Sequence, residues 1–221
     1  MNFEKAKNSY RKNALVQKKM AHNLIDFLLK ISDKNFDNIF EFGAGTGFLT
    51  DEITNKLKYK KIILNDITDN FTKHKYDFIK GDILKIEIQN NLDLILSNAC
   101  IQWISEYQKL FSKMFHSLNK GGIFAFSTFG DKNFIQIKNI TGVGLDYPNL
   151  ENFIKHAGFQ ILFFEEELQT LYFKNPIEIL EHIKLTGVKT ENKIWTKKDF
   201  AHFQKKYLEQ FDDELGFELT Y

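Results

Sequence analysis

Phe40-Glu41-Phe42-Gly43-Ala44-Gly45-Thr46-Gly47 joins the end of an apolar stretch to three glycines on alternate positions. Leu49, Ile53 and Leu57 follow at helical spacing, so the segment reads as strand, tight turn and helix. Glycines at such a turn permit positive φ and let backbone N–H groups come close to a ligand. A dinucleotide turn needs G-x-G-x-x-G, whose last glycine would stand where this chain has Phe48. The pattern here is instead E-x-G-x-G-x-G, which argues against a nicotinamide-dependent oxidoreductase.

Working outward, strands and helical segments alternate. The first strand is expected at about 38–42, and its helix runs from about 48 to 57. Lys61–Asp66 gives a second strand, Tyr76–Ile79 a third, and Leu92–Ser97 a fourth. The fourth is the kind of unbroken apolar run that a parallel sheet buries on both faces. Tyr107, Leu110, Phe111, Met114, Phe115 and Leu118 make a helical stripe over about 105–118, and Gly121-Gly122 turns the chain into a fifth strand, Ile123–Ser127. This alternation predicts an α/β fold, a doubly wound, mostly parallel sheet. Past residue 130 it breaks down. A helix near 149–157, a long strand from Phe159 to about Glu167, two helices at about 176–186 and 197–211, and a last strand over Leu215–Tyr221 are expected. That last strand would return antiparallel into the same sheet and complete seven strands. Phe3, Ala6, Tyr10, Ala14, Gln17, Ala21, Leu24 and Leu28 define one face of an N-terminal helix over about 3–30. The reading is a single domain over 1–221. Residues 31–168 and 214–221 form its core, 1–30 a helical cover, and 169–213 a helical lid that orders with the cover on ligand binding.

Composition narrows the function. The net charge of +1 gives no bulk attraction for nucleic acid or an anionic membrane, and Arg11 is the only arginine. Arginine is the usual means of bidentate phosphate and guanine recognition, so RNA modification is disfavoured. It is disfavoured again by the lack of an N-P-P-Y-type tetrad at the fourth strand. Cys100 is the single cysteine, which forbids an internal disulfide and argues against a thiolate metal site. No metal is expected. Neither a signal-like leader nor an apolar run of about 20 residues is present, and a cytoplasmic monomer is expected.

The E-x-G-x-G-x-G turn resembles that of class I S-adenosylmethionine-dependent methyltransferases. Ligands of open α/β sheets bind beyond the carboxyl ends of the strands, and four strand ends carry suitable groups. Asp66 ends the second strand about twenty residues past the turn, with Ile67 beside it, and can accept from both ribose hydroxyls. Asp82 ends the third and can accept from the adenine exocyclic amine while the Ile83 N–H meets the ring. Glu41 can orient the methionyl ammonium, which backbone carbonyls at Ser97-Asn98 would also face. Gly43, Ala44, Gly45 and Gly47 form the cradle.

Beyond this core the chain resembles the malonyl-acyl-carrier-protein O-methyltransferases of biotin synthesis. Their F-x-x-A-x-x-x-Y…A-x-x-Q-x-x-x-A pattern is matched by Phe3, Ala6, Tyr10, Ala14, Gln17 and Ala21. Their S-N-x-x-x-Q-W segment is matched by Ser97-Asn98-Ala99-Cys100-Ile101-Gln102-Trp103, and their F-S-T-x-G by Phe126–Gly130. Thr186-Gly187 and Gly216–Tyr221 resemble a later turn and the last strand. Val188 departs from the family's usual Ala, and the short link between the second and third strands leaves little room for a helix.

The resemblance implies methylation of the free carboxylate of a malonyl thioester on acyl carrier protein or coenzyme A. A carboxylate with a pKa near ~4 is ionised at neutral pH, so no general base is needed. The six scattered histidines, His22, His74, His116, His156, His182 and His202, are therefore read as surface or core residues. Alignment should dominate instead. Tyr10 and Gln17 on the N-terminal helix, with Gln102 and Trp103 after the fourth strand, are the candidate catalytic group. Arg11, Thr128 and the lysines of 184–198 are further candidates for holding an anion. Lys197, Lys198, Lys205 and Lys206 can face an acidic carrier or simply be solvated helix charge. A small-molecule carboxyl methyltransferase of the trans-aconitate kind and a non-catalytic cofactor-binding protein remain as alternatives.

Overall fold

The computed structural model describes residues 10–33, 35–69, 76–144, 146–186 and 196–221. These form two compact units. One comprises the described parts of Gln17–Thr128 with Asn149–Glu165, and the other those of Met1–Val16, Phe129–Pro148 and Glu166–Tyr221.

The first unit is a five-stranded parallel sheet in the order β3-β2-β1-β4-β5. Its strands are β1 (Phe36–Phe42), β2 (Tyr59–Asp66), β3 (Asp77–Lys80), β4 (Leu92–Asn98) and β5 (Leu118–Ser127). The order runs outward one way from β1 through β2 to β3 and the other way from β4 to β5. The carboxyl ends of β1 and β4 therefore flank the switch point where such sheets bind ligands. Register puts Glu41 against Leu64 on one side and Leu96 on the other. Ile39, Phe40, Phe42, Leu64, Leu94, Ile95 and Leu96 are buried, as strands covered on both faces require.

Helix α1 (Leu15–Ile31) precedes β1, and α2 (Phe48–Lys56) follows the glycine turn. Helix α3 (Tyr107–Ser117) turns Leu110, Phe111 and Met114 into the core. Leu110 and Met114 join one cluster with Phe40, Phe42 and Ile95, while Phe111 meets Phe124 of β5 at 5.9 Å between ring centres. At the opposite end of the sheet the Asp93 carboxylate accepts from the N–H groups of Asp37 and Asn38, each at 2.9 Å, and from Asn119 Nδ2 at 2.8 Å. Burial pushes its carboxyl up, but these donors outweigh that and hold it below the ordinary range.

The second unit is built on an antiparallel three-stranded sheet, β6 (Thr170–Phe173), β7 (Asp212–Asp213) and β8 (Gly216–Thr220), in the order β6-β8-β7. Around it lie α4 (Ile135–Thr141), α6 (Pro176–Leu185) and α7 (Lys197–Gln210), while α5 (Glu151–His156) belongs to the first unit. Asn175 caps α6 by accepting from the N–H groups of Ile177 and Glu178, and Pro176 occupies the first turn, where its missing N–H costs nothing. Thr196 and Asp199 cap α7 reciprocally. The buried Gln136 accepts from Thr220 N–H at 3.0 Å and donates to Thr220 Oγ1 at 2.7 Å, tying α4 to β8.

Three expectations need correction. The seven-stranded sheet is five strands plus a separate three, because β8 finds its backbone partners in β6 and β7. The strand expected at Phe159–Glu167 has no ladder partner among the described residues, and Leu162, Phe163 and Phe164 stay exposed, although Phe163 stacks on Phe27 at 4.7 Å. An apolar run suits a strand, but a strand exists only where a neighbour supplies hydrogen bonds. The N-terminal helix is interrupted at Ala14, between helical residues 10–13 and α1. The expected short link between β2 and β3 falls partly, and Gly187 and Val188 wholly, outside the described residues.

Candidate active site

The β1 strand delivers Glu41 into the core and then reverses through glycines that only positive φ can accommodate: Gly43 at 69°, Gly45 at 53° and Gly47 at 87°. The three do different jobs. A Cβ on Gly43 would stand 2.5 Å from Cys100 Cβ and closer still to its sulfur, so this glycine lets the turn pack on the β4 loop. A Cβ on Gly45 would meet only the Gly43 carbonyl at 3.8 Å and otherwise fill open space. Gly45 thus keeps clear the volume in front of the turn, as a ligand cradle must. Gly47 caps α2, and its N–H donates to the Ala44 carbonyl at 2.8 Å.

Asp66, at the end of β2, braces this turn. Its Oδ2 accepts from Gly45 N–H at 2.9 Å, and its Oδ1 accepts from both Thr68 N–H at 2.8 Å and Thr68 Oγ1 at 2.9 Å. The carboxylate is therefore held in one orientation with an acceptor site on Oδ2 still open. Ile67 beside it is exposed. Asn65, buried, donates to the Ile79 and Gly81 carbonyls and links the ends of β2 and β3. Asp82 follows, its Oδ1 accepting from Leu84 N–H at 3.0 Å, and Ile83 is buried next to it.

Glu41 is 1% exposed and accepts a hydrogen bond from Thr50 Oγ1 at 2.7 Å. Burial, aided by the charges of Asp66 and Asp51 and opposed by the Thr50 hydroxyl, pushes its carboxyl up to about 8. A buried acid that would ionise readily beside a cation is suited to an ammonium group.

At the end of β4, Ser97 donates to the Phe42 carbonyl at 3.1 Å. Asn98 donates to the Gln17 carbonyl at 3.0 Å and accepts from Ser127 Oγ at 2.5 Å, so β4, β5 and α1 are joined at one point. Ala99 takes φ 49° and opens a short 3-10 turn, Ile101–Trp103. Gln102 is a brace of that loop: its Nε2 donates to the Ala99 carbonyl at 2.7 Å and its Oε1 accepts from Thr128 Oγ1 at 3.1 Å. Its second Nε2 hydrogen has no acceptor among the described residues. Trp103 is half-buried. Gln17 is 3% exposed, yet its Oε1 has no hydrogen-bond partner among the described residues. A buried acceptor left unmatched costs about 1–3 kcal/mol, which a bound donor would recover.

Tyr10 lies in the other unit. There Tyr221 is buried, its hydroxyl 2.7 Å from His182 Nε2, and burial with the neighbouring Tyr10 raises the Tyr221 phenol well above its ordinary value. Burial lowers the His182 imidazole. The structure thus gathers Glu41, the glycine turn, Asp66, Asn98, Gln17 and Gln102 in the sheet unit, with Tyr10 in the other. Sequence reasoning missed the bracing by Thr50, Asn65 and Thr68. Thr50 one turn into α2 was the available signal, since a hydroxyl there can reach back to the strand.

Residues 40–126 match the family model for the methyltransferase domain. Among solved structures, the YcgJ protein from Bacillus subtilis is similar with a TM-score of 0.61 at 12% identity, covering 90% of this chain and 93% of that one. A S-adenosylmethionine-dependent methyltransferase from Archaeoglobus fulgidus gives a TM-score of 0.51 at 12% identity, with 92% and 90% covered. At such identities the likeness concerns the fold. A malonyl-acyl-carrier-protein O-methyltransferase from Calditerrivibrio nitroreducens is 40% identical over 225 residues, 100% of this chain and 91% of the relative. The chain belongs to the malonyl-acyl-carrier-protein O-methyltransferase family. A second member, from Acinetobacter baylyi, is 34% identical over 99% of this chain and 91% of its own length. Membership of that O-methyltransferase family agrees with a sheet whose ligand end carries a glycine cradle. Among the described residues no cluster of His, Cys, Asp and Glu is placed to hold a metal, and no helix is long and apolar enough to cross a membrane.

Proposed function

We propose that this chain transfers the methyl group of S-adenosylmethionine to the free carboxylate of a malonyl thioester on acyl carrier protein, an early step of biotin synthesis. The reading rests on full-length similarity to proteins so named, joined to one observation: the space a side chain at Gly45 would fill lies open in front of an E-x-G-x-G-x-G turn.

Bound there, S-adenosylmethionine supplies an electrophilic methyl group whose departure leaves a neutral thioether. Asp66, already fixed by Gly45 and Thr68, accepts from the ribose hydroxyls. Asp82 and the Ile83 N–H read the adenine. Glu41 and the carbonyls about Asn98 take the ammonium. The acyl carboxylate is ionised without help, so no residue has to remove a proton. The histidines are engaged elsewhere: His22 with Asp26 and Glu52, His182 with Tyr221, and His116 and His156 each with a carbonyl one helical turn back. His202 is exposed, and His74 lies outside the described residues.

Alignment then carries the rate enhancement, worth up to about 7–11 kcal/mol in well-oriented systems. Gln17, Gln102 and Trp103 are the residues of the sheet unit assigned to it. Trp103 offers an apolar wall, and the spare amide hydrogens of Gln17 and Gln102 can hold the carboxylate. Incubation with labelled S-adenosylmethionine should place label on malonyl-carrier protein and none on acetyl-carrier protein, which lacks the terminal carboxylate. Equal labelling of both would reject a carboxyl acceptor.

A further inference from the structure

The turn from Asp82 to Ile86 is short and rich in polar backbone. Asp82 Oδ1 accepts from Leu84 N–H, and the Asp82 carbonyl accepts from the N–H groups of Lys85 at 2.8 Å and Ile86 at 3.0 Å. The carbonyls of Ile83 and Ile86 are both met from a distant element. Lys113, in the middle of α3, donates from Nζ to the Ile83 carbonyl at 2.7 Å and also to the Ile86 carbonyl. Its ammonium is partly buried. Burial and the nearby Lys109 lower it, while the charges of Asp82 and Glu87 act in the opposite direction.

We propose that Lys113 is the positioning residue of the adenine-reading turn, fixing it through the Ile83 and Ile86 carbonyls so that the Asp82 carboxylate and Ile83 N–H meet the base. This rests on the assignment of Asp82 and Ile83 to adenine made above. The chemistry suits a lysine. A compact ammonium with three donors can sit between two carbonyls, and its charge offsets that of Asp82 beside them. Ile83 and Ile86 anchor the other side of the turn in the core shared with Phe40, Ile95 and Leu110. A Cβ on Gly81 would stand 2.5 Å from Ile86 Cγ2, so the turn has no slack on that side. Without Lys113 two carbonyls lose their donor, although Lys85 Nζ still lies 3.5 Å from Asp82 Oδ2.

The test compares S-adenosylhomocysteine with S-inosylhomocysteine, in which an oxo group replaces the exocyclic amine. Wild-type protein should prefer the adenosyl form. Lys113→Met should weaken adenosyl binding about tenfold and inosyl binding by less than about threefold, narrowing the preference. Its kcat at saturating cofactor should stay within about twofold of wild type. Lys113→Arg, whose planar fork does not replace a compact ammonium between two carbonyls, should narrow the preference too, and it takes over the test if the Met variant does not fold. An unchanged preference in a folded variant, whether affinities fall equally or not at all, overturns the proposal alone. Asp66→Ala is the control. A wild-type protein that binds neither compound, or binds both equally while Asp66→Ala loses both, overturns the adenine assignment and this proposal with it.

Discussion

Thr50 Oγ1 donates to Glu41 Oε2 at 2.7 Å, and the Thr50 backbone adds a second hydrogen bond to a carboxyl almost wholly removed from water. Both oppose the burial that raises Glu41 to about 8 but do not cancel it. The folded protein therefore keeps a proton that the unfolded chain releases between about pH 4.5 and about 8. Stability from this group falls as pH rises through that window, because the folded state binds more protons there. Glu41→Gln should remove the dependence and melt about 5–10 °C above wild type at pH 8, with little difference at pH 4. Melting curves at the two pH values check this. A variant no more stable than wild type at pH 8 would contradict it.

The same group ties cofactor binding to protons. An ammonium placed beside Glu41 favours its ionised form, so binding below pH 8 should release a proton and tighten as pH rises. Calorimetry at pH 7 in two buffers of different ionisation heat measures the release directly. Glu41→Gln should abolish it and weaken binding about tenfold or more.

Gly43 and Gly45 should separate stability from binding. Gly43→Ala drives a Cβ into Cys100 and should lower the melting temperature by several degrees, about 2 kcal/mol or more. Gly45→Ala shares the strain of a positive φ with Gly43→Ala but meets little protein, so its additional damage should appear as lost affinity for S-adenosylhomocysteine. Thermal melts and titrations of both variants would expose the error if the two patterns were reversed.

Asp66→Ala removes the acceptor for Gly45 N–H and the proposed ribose contact together. Cofactor affinity should fall tenfold or more, since charge-assisted hydrogen bonds contribute about 1.5–3 kcal/mol each. Unchanged affinity by calorimetry would reject the ribose assignment.

Gln17 Oε1 is buried and unmatched, so Gln17→Leu should leave the ligand-free protein as stable as wild type or about 1 kcal/mol more so. Turnover should fall by one to two orders of magnitude, roughly the loss of one catalytic hydrogen bond. A large loss of stability with full activity in the survivors would show that Gln17 is merely structural.

Much of the sheet unit was legible because its strands are nearly uniform apolar runs and its helices carry clear stripes. Leu92–Asn98 and Tyr107–Ser117 lie within a residue or two of their expected bounds. The acidic residues at the strand ends were legible for the same reason, since a parallel sheet brings its carboxyl ends together. The later part was less so. Phe159–Leu168 is apolar enough for a strand, but pairing depends on which backbone lies alongside, and a single run does not encode that. Gly216–Thr220 was read correctly as a strand and assigned to the wrong sheet, because its partner Thr170–Phe173 is only four residues long. The expected part of Gln102 in binding was legible only as a motif. Its bonds to Ala99 and Thr128 depend on a positive φ at Ala99 that nothing in the sequence announces.

The central claim is the identity of the acceptor, and intact-mass measurement of the carrier tests it most directly. Malonyl-carrier protein, succinyl-carrier protein and free malonate are offered together with S-adenosylmethionine. The malonyl carrier should gain the mass of one methyl group, as an ester that mild alkali removes, well before either competitor reacts. Methylation of free malonate at an equal or higher rate, or an alkali-stable methyl on the carrier polypeptide, would contradict the account.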